Sequence, residues 1–259
     1  MNTYKVDLSP DFRQIELIPF ADLHIGDKNS DRERILRDIG YIRDHDNVFT
    51  ILHGDLMNCA IKTAVSDIYT ETLSPMDELR ICQDLFGPIR DKIIFVCPGN
   101  HEERHYKTNG IDITGLMCEQ LGISDRYCPT TGFIFLRFGE NEDGALRHRP
   151  VLYTIYVTHG NSNGRKDGGK IQRLADYATI VDADIYIAGH SHLGASFKKG
   201  FLRPSPTTSS ITNCQHLFVN TSAAVQYGGY AERFGLDPPC LDRPIIYLSG
   251  TKKEMYARI

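Results

Sequence analysis

No apolar run in the 259 residues approaches the ~20 residues of a membrane span. Met1 to Asp7 also lacks the apolar stretch of a secretion signal. A membrane partner is therefore not expected, and the expected compartment is the cytoplasm. Cysteine is scattered: the seven residues Cys59, Cys82, Cys97, Cys118, Cys128, Cys214 and Cys240 are odd in number and never form Cys-x-x-Cys. This argues against a disulfide framework and a structural zinc site, and leaves most of the cysteines as reduced, small, buried hydrophobes. Excess positive charge is missing too. A formal net charge of -4 gives no global attraction for nucleic acid, so a specific duplex reader is disfavoured while a local basic groove remains open. Neither an internal repeat nor a clean linker is visible, and residues 1–259 read as one domain.

The composition is that of an ordinary globular chain, 41% hydrophobic and 24% charged. Strand-like and helix-like segments alternate along it. Ile15 to Phe20, Val48 to Leu52 and Ile93 to Val96 are short β-rich runs. Between them, Asp31 to His45 places Ile35, Ile39 and Ile42 at helical spacing, and Met76 to Arg90 does the same with Leu79, Ile81, Leu85 and Ile89. Such βαβαβ alternation predicts a largely parallel sheet. Farther on, Gly132 to Phe138 and Val151 to Val157 are expected to pair across a polar loop. A helix over about Gly169 to Asp182 then leads to a strand at Ile185 to Ala188. Leu217 to Asn220 and Ile245 to Leu248 read as further strands among loops rich in Pro, Ser, Thr and Gly. The expected architecture is α/β, two mixed sheets packed face to face with helices outside.

What is present in abundance is metal-ligand chemistry where the hydrophobic runs stop. In order come Asp22-Leu23-His24, Gly54-Asp55-Leu56-Met57-Asn58, Gly99-Asn100-His101-Glu102, Thr158-His159-Gly160 and Gly189-His190-Ser191-His192. Open α/β sheets bind ligands beyond the carboxyl ends of their strands, where these clusters fall. Together they hold more oxygen and imidazole donors than one ion needs, so a two-metal hydrolytic site is expected. In extended backbone, Asp22 and His24 would face one side and could meet one ion. The two oxygens of Asp55 suit it to bridge two ions. Asn100, in a turn forced by Pro98 and Gly99, offers a neutral hard ligand. His159 and His190 complete the second ion, and His192 reaches back to the first. Asn58 is expected behind the ligands rather than among them. Any one of these residues alone has an ordinary structural explanation; the ordered set does not.

These clusters spell D-x-H, G-D-x-x-N, G-N-H-E, a lone H and G-H-x-H, and over Asp22 to His192 the chain resembles a calcineurin-like metallophosphoesterase. The resemblance implies a four-layered α/β-β/α sandwich. It places Asp22, His24, Asp55 and His192 on one metal, and Asp55, Asn100, His159 and His190 on the other. Two divalent ions against two carboxylates leave about two positive charges, which favours a phosphate and its more negative transition state. Ions ~3.5–4 Å apart can also lower the pKa of a shared, bridging water to give a hydroxide nucleophile. His101 is expected to face the substrate and protonate the leaving oxygen. Glu102 is expected either to orient His101 or a ligand or to be a solvated loop carboxylate. The donor set suits manganese, iron, cobalt, nickel or zinc better than calcium, and the family points to manganese.

The expected substrate is a phosphoester, most readily a phosphodiester or nucleic acid, with a nucleotide or phosphomonoester as the alternative. Motif spelling is similar to the DNA-repair exonuclease branch, yet that branch usually carries a capping domain and only about 65 residues follow His192. A catalytically inactive scaffold is a third reading, opposed by the complete ligand set and His101. Arg104, His105 and Lys107, and the loop with Asn161, Asn163, Arg165, Lys166, Lys170 and Arg173, are candidate phosphate contacts. Tyr227 to Tyr230 is a candidate base-stacking patch.

Overall fold

The structure is a computed structural model, which describes residues 2–61, 71, 73–142, 144–161, 164–233, 235 and 237–259. Two mixed sheets form its centre. The first contains β2 (Gln14–Phe20), β3 (Val48–His53), β4 (Ile93–Cys97), β10 (Ile245–Ser249) and β11 (Met255–Arg258), in the order β11-β10-β2-β3-β4. The second contains β1 (Asn2–Asp7), β5 (Gly132–Phe138), β6 (Val151–Val157), β7 (Ile185–Ala188), β8 (Ala195–Ser205) and β9 (Ser210–Asn220), in the order β1-β5-β6-β7-β9-β8. The strands that precede the motifs run parallel: β2 with β3, β3 with β4, and β6 with β7. Their C-terminal ends therefore lie on one edge, as expected for an open α/β sheet.

Side-chain alternation explains the layering. In β2, Ile15 and Leu17 face the inter-sheet core, where they join Ile51, Phe95, Ile134, Tyr153, Ile155, Ile187 and Val219. Ile18 and Phe20 point the other way, against Ile35, Ile39 and Ile42 of α1 (Arg32–Asp44), Leu79, Cys82 and Phe86 of α2 (Pro75–Phe86), and Met117 and Leu121 of α4 (Ile113–Leu121). On the outer face of the second sheet, Tyr156, Tyr186 and Phe218 pack on Leu174 of α5 (Asp167–Asp176) and on Tyr177. Helix, sheet, sheet and helix thus make four layers, each held by burial worth ~1.5–3 kcal/mol per large apolar side chain. Central strand β3 is buried along its whole length, the pattern of a strand covered on both faces.

The helices carry the stop and start signals their sequence provides. Asp31 caps α1 by accepting from Arg34 N at 3.1 Å, and Ser74 with Asp77 forms a capping box on α2, with Pro75 opening the helix. Several expected boundaries shift. The helix expected to run to Arg90 ends at Phe86, and Gly87–Lys92 tightens into a 3₁₀ turn around Pro88. The helix expected over Gly169 to Asp182 spans Asp167–Asp176 and closes in a 3₁₀ turn, Tyr177–Thr179. Six strands and α-helices lack a counterpart in the sequence reading: edge strands β1 and β11, the hairpin strand β8, α3 (Asn100–Asn109), α4 and the short α6 (Tyr230–Arg233). β9 also starts seven residues before the expected Leu217. Most of β8 and the first half of β9 are solvent-exposed, so no apolar alternation marks them.

Candidate metal centre

The first two motif loops are stitched together by their backbones. After β2, the backbone N–H groups of Asp22, His24 and Ile25 donate to the carbonyls of Gly54, Asp55 and Leu56 at 3.0, 3.0 and 2.9 Å. The loop after β3 is thereby held in register with the loop after β2. Extended backbone is not what aligns Asp22 and His24: their φ angles are 54° and 46°, in the left-handed region. Asp55, His190 and His192 adopt it too, with φ of 51°, 64° and 58°. Left-handed backbone costs a non-glycine residue roughly 1–2 kcal/mol, and five of the seven expected ligands carry that cost. Strain concentrated in this way marks a functional site, because the surrounding hydrogen bonds must impose it.

Two glycines allow the loops to close. A Cβ on Gly54, whose φ is 97°, would stand 2.5 Å from Gly99 Cα and 2.7 Å from His159 Nδ1. One on Gly99 would stand 2.1 Å from Asp55 Oδ1 and 2.3 Å from Asp55 N. Gly99 itself has φ −104° and ψ −175° at the N-cap of α3, so the expected tight turn at Pro98-Gly99 is replaced by an extended residue entering a helix. Its role is to leave room for Asp55, and Asn100 becomes the first residue of α3.

Three overlapping groups of side chains come within metal-ligating reach, each with its donor atoms within 4.8 Å of one another: Asp22, His24 and His192; Asp55, His159 and His190; and His24, Asp55 and His101. His24 Nε2 is 3.2 Å from His192 Nε2, which lies 3.3 Å from Asp22 Oδ1. His159 Nε2 is 3.1 Å from Asp55 Oδ2 and 3.2 Å from Asn100 Oδ1. Asp55 belongs to both of the latter groups and lies between the two sides of the centre. Among the described residues, Asp22 Oδ1 is buried without a hydrogen-bond partner. An orphaned carboxylate oxygen beside facing imidazoles is costly unless a cation completes it. The donor set, carboxylate, amide and imidazole, therefore fits divalent metal.

The supporting contacts fix ring orientation. His159 Nδ1 faces the His53 carbonyl at 2.9 Å, and His101 Nδ1 faces the Asn58 carbonyl at 2.8 Å. In both rings a proton on Nδ1 donated to that carbonyl turns Nε2 toward the centre. Backbone donors hold the carboxylates: His190 N–H donates to Asp22 Oδ2 at 2.9 Å, and His101 N–H to Asp55 Oδ1 at 2.8 Å. Glu102 is no solvated loop carboxylate. It is 2% exposed and accepts from the backbone of Asp55, Met57 and Gly99.

Burial and mutual charge set the protonation of this cluster. Burial works against ionising Asp22 and Asp55, yet His192 beside Asp22 and His159 beside Asp55 outweigh it and hold both carboxyls well below the usual range. Burial lowers His159 as well, but Asp55 and Asp22 push it up to about 10. His24 is driven well below its ordinary value by burial and by His101, and burial likewise lowers His101 and His190. Burial, with the Asp55 charge, lifts Glu102 to about 7 against the pull of the Met57 and Gly99 N–H groups.

Asn58, expected behind the ligands, is buried, and its Nδ2 donates to Glu71 at 2.7 Å. Of the candidate phosphate contacts, Arg104 donates to the Asn58 carbonyl at 3.3 Å, Lys107 pairs with Glu103 at the surface, and the His105 side chain is partly buried. Tyr227 is 46% exposed, and Asn163 lies outside the described residues. His53 is the participant that the sequence hides. It ends β3 fully buried, with Nε2 2.8 Å from Thr221 Oγ1, and burial lowers its pKa to about 4. As the last residue of a hydrophobic strand it carries no motif signal.

Two mixed sheets with an aspartate and histidine cluster of metal-ligating reach on their shared edge define a metallophosphoesterase type of architecture. The chain belongs to the calcineurin-like phosphoesterase family, whose model matches residues 18–194. No curated protein sequence matches the chain. Among solved structures, a calcineurin-like phosphoesterase from Bacillus subtilis is 12% identical, with 94% of this chain and 90% of that one covered and a TM-score of 0.42. A predicted phosphoesterase from Streptococcus pneumoniae is 15% identical, covers 95% and 98%, and scores 0.35. Zinc-complexed Vps29 from Entamoeba histolytica is 13% identical, covers 94% and 97%, and scores 0.38. At these scores the fold is read from the sheets themselves. No described helix is long and apolar enough to cross a membrane.

Proposed function

We propose that the chain is a dinuclear-metal-dependent phosphoesterase acting on phosphodiesters, nucleic acid or nucleotide, with a small-molecule phosphomonoester as the second reading. The observation that carries this is the buried Asp22 Oδ1, satisfied by no hydrogen bond and faced by His192 Nε2 at 3.3 Å and His24 Nε2 at 4.0 Å, with Asp55 shared between neighbouring donor groups. Asp22, His24, Asp55 and His192 would hold one ion, and Asp55, Asn100, His159 and His190 the other. Manganese is the first choice. When bound, such ions supply Lewis-acid charge to a phosphate and activate water.

The chain's own groups supply the rest. Asp22 and Asp55 stay ionised, and only these two carboxylates stand in the donor groups. A site so furnished keeps excess positive charge for a phosphate once loaded. His101 is oriented by the Asn58 carbonyl with Nε2 3.8 Å from Asp55 Oδ2, so that its imidazolium form, keeping the Nδ1 proton on that carbonyl, would pass the Nε2 proton to the leaving oxygen. The same Nε2 falls in a donor group with His24 and Asp55, so leaving-group dependence must separate proton transfer from ligation. Seven free cysteines support action in the reducing cytoplasm.

The decisive assay loads metal-stripped protein with manganese and offers bis(p-nitrophenyl) phosphate, single-stranded DNA, duplex DNA, RNA, cyclic nucleotides and phosphomonoesters. Hydrolysis of diesters, lost in Asp55→Asn, is expected. Wild-type turnover in that variant, or inertness of the loaded wild type toward every substrate, overturns the reading and favours a scaffold.

A further inference from the structure

Glu78 is a carboxyl in a place built for an apolar side chain. It stands in the first turn of α2 and is fully buried, beside Leu79 and Cys82 on the core face of the helix. Its Oε1 has no hydrogen-bond partner among the described residues. A Cβ at Gly26 would stand 2.2 Å from that atom, so the glycine leaves room for it. Burying a polar atom without a partner costs stability, and an apolar residue would pack here without that cost. What the carboxyl provides is a contact outside the helix: Oε2 accepts the backbone N–H of Cys59 at 2.8 Å.

That N–H belongs to the peptide unit whose other end faces His101. The Asn58 carbonyl lies 2.8 Å from His101 Nδ1 and accepts from Arg104 Nη1 at 3.3 Å, two side chains three residues apart on α3. A peptide is planar and trans, with its N–H and C=O opposed, so it turns as one body. Fixing the N–H at Glu78 therefore aims the carbonyl at His101. The arrangement needs holding, because Cys59 takes a left-handed φ of 47°, which is unfavourable for a non-glycine residue. Rotation of the peptide would relieve that angle and present an N–H to the ring instead. The preceding N–H, that of Asn58, is already tied to the Ile25 carbonyl at 2.8 Å, so the freedom that Glu78 removes is that of the Asn58–Cys59 unit.

We propose that Glu78 is a positioning residue for His101, acting through the Asn58–Cys59 peptide: it keeps a carbonyl behind the ring, and so keeps Nδ1 protonated and Nε2 turned toward the centre. The catalytic use of that ring rests on the phosphoesterase reading above; the clamp itself does not.

Imidazole NMR of the zinc-loaded protein at mildly alkaline pH reports which nitrogen of His101 carries the proton, without turnover. The wild type and Glu78→Gln, whose amide oxygen can still accept the Cys59 N–H, are expected to show the proton on Nδ1. Glu78→Leu removes the acceptor, and its ring should show a mixture of the two tautomers. Turnover should follow: Glu78→Leu is expected to lose roughly tenfold on the dinucleotide TpT, the scale of one hydrogen bond, and far less on bis(p-nitrophenyl) phosphate, with metal content unchanged. In a His101→Ala background, Glu78→Leu should cost nothing more on TpT. Leu79→Ala truncates the core of the same helix, and should move neither the tautomer nor the ratio between the two substrates, which separates the clamp from a general loss of stability. Should Glu78→Leu fail to fold, Glu78→Asp, one methylene too short to reach Cys59, takes its place with the same expectations. A single Nδ1 tautomer in these variants, or equal losses on both substrates that persist without His101, overturns the proposal. A wild type inert toward both diesters sinks the phosphoesterase reading instead, and the tautomer comparison then decides the clamp alone.

Discussion

Glu102 holds Asp55 by its backbone: one carboxylate oxygen accepts the Asp55 N–H at 3.0 Å and the Gly99 N–H at 2.8 Å, while the other accepts from Met57 at 2.9 Å. Three buried donors from two motif loops therefore end on one side chain, which fixes the left-handed turn at Asp55. Glu102→Gln presents an amide N–H₂ to at least one of those donors. An unsatisfied buried N–H costs about 1–3 kcal/mol, and the Asp55 loop should loosen. Lower urea stability together with weaker manganese binding by calorimetry is expected, whereas Glu103→Gln, which loses only a surface pair with Lys107, should match the wild type. Unaltered metal affinity in Glu102→Gln would show that this clamp does not position Asp55.

Metal should also act as a folding ligand. With Asp22 Oδ1 buried and satisfied by no hydrogen bond, an ion bound to the native state alone adds about 2.7 kcal/mol at a hundred times its Kd. Thermal unfolding of stripped protein with rising manganese should show a growing Tm. Asp22→Asn removes the charge while keeping the shape, so most of that increment should vanish. An equal Tm gain in the variant would exclude Asp22 from the centre.

The strands that carry motifs were legible because their motif-bearing ends are buried on both faces. Ile15 to Phe20, Val48 to Leu52 and Val151 to Val157 spell continuous or alternating apolar runs, and the observed elements match them within a residue or two. The β8–β9 hairpin was not, since exposed residues such as Leu202 and Ile211 report no core face. The donor residues were legible as chemistry, Asp22 through His192. Their backbone was not: neither aspartate nor histidine announces a positive φ, which the pairing of the Asp22 loop with the Gly54 loop imposes. His53 and the clamp by Glu102 are contacts across the fold, and no local pattern encodes them.

His101 offers the sharpest separation of roles. His101→Ala removes an Nε2 facing the centre, and general acid catalysis is worth about 10²–10⁴-fold. The loss should approach that range for alkyl phosphodiesters and shrink for p-nitrophenyl esters, whose leaving oxygen needs no proton, while metal content by atomic absorption stays at the wild-type value. Equal losses on both substrates, accompanied by lost metal, would make His101 a ligand instead.

Glu78 gives a pH dependence away from the ligands. Its side chain is fully buried, Oε2 accepts from Cys59 N at 2.8 Å, and Oε1 has no hydrogen-bond partner among the described residues. Burial, reinforced by Glu71 and Glu102 and opposed by the Cys59 N–H, pushes its pKa up to about 8. The folded protein therefore holds a proton that the unfolded chain releases near pH 4.5. Stability is full below that value and declines as pH rises toward 8, by at most about 1.4 kcal/mol per unit. Above 8 both states are ionised and the decline stops. Glu78→Gln carries no titrating group, so its urea midpoint should fall less than the wild type between pH 5 and pH 8. Parallel curves for the two proteins over that window would show that Glu78 does not hold its proton in the fold.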